Sequence, residues 1–134
     1  MIKERIKKLN ETLEILEYMK NNFDIDELKL DKIKQYALKY GIYLCITGIG
    51  EIACAYLNEI GIENISSFKE CIAMLGEMKI LDRFLVERLM ELMKYRDLLK
   101  RPYIEIDILK LYSLLERLDL FKEFIDKITI IIRV

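Results

Sequence analysis

The sequence predicts an all-α fold: an antiparallel up-and-down bundle of four main helices and a short one. Three observations carry that expectation. Apolar residues recur three and four apart along most of the chain, the period of one helical face. The composition is 53% apolar and 34% charged, with five glycines and one proline, so little of it favours disorder. The segments that interrupt the period are short, and short connections between helices give antiparallel neighbours. At 134 residues the chain suits one domain, residues 1–134, around one core.

The first helix is expected from about Ile2 to Asn21, with Ile6, Leu9, Leu13, Leu16 and Met19 as its stripe. Asn21-Asn22 ends it, because Asn tolerates the left-handed conformation. Asp24 or Asp26 caps a second helix that runs on to Glu59, with Gly61 as its C-cap. From Leu44 to Tyr56 only Thr47 and Glu51 are polar, which predicts a central helix or one that also faces a second copy of the chain. Gly41, Gly48 and Gly50 each cost about 1 kcal/mol relative to Ala in a helix, so close approach of another backbone is expected there. Glu51 is expected to be paired or turned outward.

A short third helix starts after Ile65, with Ser67 and Glu70 at capping-box spacing, and ends near Met78. Asp82 caps a fourth, whose stripe is Phe84, Leu85, Leu89, Leu92 and Met93. Pro102 stops it, since proline lacks an N–H and disfavours a helical Arg101. A fifth begins near Ile106 or Asp107, and Ile108, Leu111, Tyr112, Leu115, Leu118, Phe121, Ile125 and Ile128 supply its face. The last six residues, TIIIRV, are β-branched and leave three fates open: fraying, a continued helix, or a cover over an apolar patch.

Composition also narrows the chemistry. A net charge of −1 gives no global basic field, so a nucleic-acid site must be a local patch. The first twenty residues are charged and amphipathic rather than a secretory signal, and no apolar run is expected to cross a bilayer. Cys45, Cys54 and Cys71 have no metal-ligand spacing and read as small buried hydrophobes in a reducing cytoplasm. With no histidine in the chain, the usual general base near neutral pH and imidazole metal sites are both missing, and no metal or cofactor is expected. Gly48-Ile49-Gly50 lies inside a helical pattern and does not follow a strand, so it reads as packing, not a phosphate loop.

The densest cluster of reactive groups lies at the end of the fourth helix: Arg96, Asp97, Lys100, Arg101 and Tyr103. Arg96 and Lys100 are four apart and share a helical face. Two readings stay open from the residues alone. The cluster binds phosphate, or it is a solvated basic end that complements the helix dipole.

The stretches CITGIGEIACAYLNEIGIENISSFKECIAMLGEMKIL and ILDRFLVERLMELMKYRDLLKRPYIEID resemble the HEPN superfamily, specifically its HepT-like small proteins, over nearly the whole chain. The signature of that family is Arg, usually then Asn, three more residues, His, one residue and Tyr. Here Arg96 matches the Arg and Tyr103 the Tyr, while Asp97 stands in place of Asn and Arg101 in place of His. The resemblance implies a homodimeric helical bundle and a metal-independent endoribonuclease toxin. It also implies a minimal nucleotidyltransferase antitoxin that transfers AMP to Tyr103. Arg96, Lys100 and Arg101 would bind RNA phosphate.

Arg101 keeps its proton, with a pKa above about 12, so it cannot take and return one as His does. It can still bind phosphate and steady a developing anion. The expectation is therefore weak or absent cleavage, with RNA and partner binding retained. The alternatives are a non-catalytic dimeric partner of a nucleotidyltransferase and a purely structural helical dimer.

Overall fold

Side-chain caps set most of the helix starts. The computed structural model describes residues 1–101 and 105–132. Within them α1 spans Ile2–Asn22, α2 Ile25–Leu28, α3 Lys32–Glu59 and α4 Phe68–Glu77, followed by α5 Arg83–Lys100, α6 Ile108–Leu114 and α7 Leu118–Ile132. A 3-10 turn at Leu115–Arg117 joins the last two. Ser67 accepts from the N–H of Glu70, Asp82 from that of Leu85, and Asp107 from that of Leu109.

The expected second helix is in fact two. Asp31, not Asp24 or Asp26, caps the long helix by accepting from the N–H groups of Ile33 and Lys34. Gln35 makes the break affordable in hydrogen bonds: its Nε2 donates to the carbonyls of Leu28 at 2.8 Å and Lys29 at 3.1 Å. α3 ends in a Schellman turn, with Ile62 N–H on the Leu57 carbonyl, Gly61 N–H on that of Asn58, and Gly61 at φ +86°. The expected fifth helix is divided by the 3-10 turn, which no Gly or Pro marks in the sequence. The C-terminal stretch continues α7 through Ile132, and Thr129 bonds its hydroxyl back to the Ile125 carbonyl at 2.7 Å. Arg133 and Val134 lie outside the described residues.

The architecture is all-α, as expected, with α3 at the centre. It packs against α1, α4, α5, α6 and α7. By length and composition α3 could cross a bilayer, contrary to the sequence expectation; half of its most apolar window is buried among the other helices, as in a central core helix. Among the described residues no polar or charged residue is buried.

What approaches the α3 glycines is side chain rather than backbone. A Cβ at Gly41 would lie 2.8 Å from Leu16, and one at Gly50 would lie 2.2 Å from the Phe68 ring. Glu51 turns outward and pairs with Arg5 at 2.6 Å. Arg117 donates to Glu91, and this bond, with Arg88 alongside, holds the Glu91 carboxyl below the usual range.

The cysteine expectation holds for one residue. Cys45 is fully buried, and burial pushes its thiol up to about 12. Cys54 and Cys71, by contrast, are joined as a disulfide between α3 and α4, with Cα atoms 5.2 Å apart. Sequence spacing could not show this, because the pairing depends on how α4 folds back onto α3.

Candidate functional site

The site is built where the buried stripe of α5 reaches the surface. Leu85, Leu89, Leu92 and Met93 lie in the core and fix the rotation of the helix. Arg96 is the next position on that stripe, so its side chain continues along the packed face instead of pointing into water. It is half-buried. Its guanidinium lies over the Phe68 ring, 4.5 Å from the centroid, and its Nε donates a long hydrogen bond of 3.4 Å to the Thr47 hydroxyl.

Phe68 is the first residue of α4, set in place by the Ser67 cap and seated against Gly50. The platform under Arg96 thus needs a capped helix start on one side and a missing side chain on the other. Among the described residues Arg96 has no carboxylate partner. A planar guanidinium stacked on a ring and tethered through Nε keeps its outer N–H groups for a bidentate anion.

Lys100, one turn further on, lines a groove of about 520 Å³ with Leu99, Tyr36, Lys39, Tyr40 and Tyr43. Arg96 reaches Thr47 and Lys100 lies by Tyr43, so the two share the α3-facing edge of α5, and the two helices run antiparallel. Arg101 is exposed and extended, with φ −97° and ψ 108°, as suits a residue before proline. Among the described residues Arg101 forms no ion pair. Asp97 is exposed and likewise has no ion pair among them. Tyr103 lies outside the described residues.

A larger recess of about 710 Å³ shares Phe68 with this site and is lined by Glu51, Glu59, Glu63 and Arg5, whose guanidinium is already paired with Glu51. Its carboxylates do not suit a phosphate, so the smaller groove fits the chemistry better.

Sequence reasoning did not find Phe68 and Thr47. Gly50 was the available signal, since a costly glycine in a helix implies something pressed against it, but only the fold shows what that is.

The family model described as "Ribonuclease HepT-like" matches residues 2–128. The chain belongs to the HepT-like family. No curated protein matches it.

The HepT-like fold is also seen in solved structures. A toxin–antitoxin crystal structure with AMP-PNP superposes with TM-score 0.84 at 16% identity, covering 96% of each chain. A tri-AMPylated Shewanella oneidensis HEPN toxin in complex with an MNT antitoxin gives 0.84 at 17% identity, again over 96% of each chain. YutE, a cytosolic protein of unknown function from Bacillus subtilis, gives 0.71 at 22% identity over 92% of this chain and 87% of that one. At these identities the likeness establishes the fold.

Proposed function

We propose that this chain is the toxin component of a toxin–antitoxin pair. In this reading the Arg96 segment holds RNA phosphate, and a minimal nucleotidyltransferase blocks it by moving AMP onto Tyr103. The observation that carries the reading is Arg96 itself: stacked on Phe68, tethered to Thr47 and without a carboxylate partner among the described residues. Lys100 and the tyrosines of the adjacent groove extend the site with charge and base-stacking surface.

Cleavage by the 2′-hydroxyl needs a group that exchanges a proton, and Arg101 cannot serve. RNA cleavage is therefore slow or absent, and binding dominates. The Tyr103 phenol can still attack the α-phosphorus of ATP on the antitoxin and release pyrophosphate. The solved toxin described as tri-AMPylated supports that route by likeness of fold. The site of action is the cytoplasm, where RNA and the antitoxin meet.

The chain acts as one domain and as a dimer. Ile33, Tyr36, Tyr40 and Leu44 form an exposed stripe on α3 at helical spacing, 81%, 65%, 63% and 37% exposed. A second copy covering that stripe would bring two Arg96–Lys100 edges to one cleft. Light scattering at micromolar concentration should give a dimer, and Tyr40→Glu a monomer; a monomeric wild type overturns the dimer.

The decisive test is co-expression with the neighbouring nucleotidyltransferase, then intact and peptide mass spectrometry. AMP on the Tyr103 peptide is expected. An unmodified chain that co-purifies favours the second reading, a non-catalytic binding partner, for which the exposed Arg101 in place of His already speaks.

A further inference from the structure

We propose that Cys54 and Cys71 form a thiol–disulfide switch that sets how firmly Phe68 supports Arg96. The inference goes beyond the functional reading above and does not depend on it.

The geometry is a double ladder between two helices. Gly50 and Cys54 are four apart on α3, and Phe68 and Cys71 are three apart on α4, so each pair shares a face. Gly50 receives the Phe68 ring, and Cys54 is bonded to Cys71. The disulfide therefore pins the first turn of α4 to α3, one turn from the ring that carries the Arg96 guanidinium.

Access and reversibility follow from the surroundings. Cys71 is 1% exposed, whereas Cys54 is half-buried, and both line the 710 Å³ recess. Cys54 is thus the sulfur an external thiol reaches. Once reduced, its thiol has an acceptor in place, since its Sγ lies 3.9 Å from the Ser67 carbonyl oxygen. That carbonyl also accepts from the Cys71 N–H at 3.1 Å, so the reduced thiol competes within the first turn of α4.

The exchange uses a low-molecular-weight disulfide as oxidant. The Cys54 thiolate attacks it, forms a mixed disulfide and releases one thiol. The Cys71 thiolate then attacks the Cys54 sulfur and releases the second thiol. Two electrons pass from the cysteine pair to the oxidant, and the two cysteine protons end on the released thiols.

The experiment equilibrates the full chain in glutathione buffers of graded ratio and counts thiols by alkylation and intact mass. In the same samples it follows the Arg96 Nε–H resonance and amide exchange at Glu70 and Cys71. The expected result is reversible interconversion within the series. In the reduced form those two amides exchange about tenfold faster. The Arg96 Nε–H signal also moves toward its position in Phe68→Leu, as the ring current weakens, and the Cys54→Ala chain reads as permanently reduced. A pair that stays oxidised or stays reduced throughout overturns the switch. So does an Arg96 signal indifferent to the redox state.

Discussion

Gly50→Ala puts a methyl group where the Phe68 ring already sits. The added Cβ would lie 2.2 Å from both Cγ and Cδ2 of that ring and 2.8 Å from its Cβ. Restoring ordinary carbon contacts moves the ring by about 1 Å. The ring cannot give way like the end of a long side chain, because its residue is fixed by the Ser67 cap and by Cys71 one turn on. Overpacking of this kind costs about 1–3 kcal/mol. The displaced ring also weakens its contact with Arg96, worth about 0.5–1 kcal/mol. Against this, Ala gains about 1 kcal/mol over Gly in a helix interior.

The net for Gly50→Ala is a loss of about 0.5–3 kcal/mol, a fall in Tm of about 2–10 °C for a domain of this size. Gly48→Ala is the matched control: its Cβ would meet Leu9, most closely Cδ1 at 3.3 Å, a methyl at the end of a side chain that can shift, with Cβ and Cδ2 at an ordinary 3.8 Å. That variant should be neutral or stabilised by up to about 1 kcal/mol. Thermal and urea unfolding of both variants, with Phe68→Ala and Gly50→Ala/Phe68→Ala to close a double-mutant cycle, reads the difference. If Gly50→Ala is as stable as Gly48→Ala, the account of the Phe68 platform is wrong.

Asp31→Ala should cost about 1 kcal/mol by uncapping two amides of α3, measured by urea unfolding, whereas Asp24→Ala, whose side chain caps nothing, should cost less. Arg101→His restores a proton-exchanging group at the signature position and should raise RNA cleavage by about 100-fold or more, read on a labelled transcript. Cys45 titrates at about 12 when folded against an ordinary 9.0, so the folded state holds its proton more tightly. Its contribution to stability is full below pH 9.0 and is lost as pH rises towards 12; the urea midpoint of wild type should fall faster between those values than that of Cys45→Ala.

The fold was legible wherever short-range chemistry decides it. The Ser67 and Asp82 caps, the stripe of α5 apart from the exposed Phe84, and the stop before Pro102 are local signals that the fold obeys. The break at Asp31 was not, because an Asp inside a helical pattern becomes a cap only when Gln35 can take over the freed carbonyls. Arg96 and Lys100 were legible as one edge from their spacing. Their surroundings were not: Thr47 and Phe68 are separated from Arg96 by 49 and 28 positions, and only packing joins them. The Cys54–Cys71 bond belongs to the same class, since it depends on the return of α4 along α3.

The most direct measurement is RNA binding by the wild-type chain and by Arg96→Ala across a salt series. The expected result is about tenfold weaker binding in Arg96→Ala with the slope against salt reduced by about one contact, the signature of a lost phosphate partner. Equal affinity and equal slope for the two proteins would contradict the assignment of Arg96 as the phosphate-holding group.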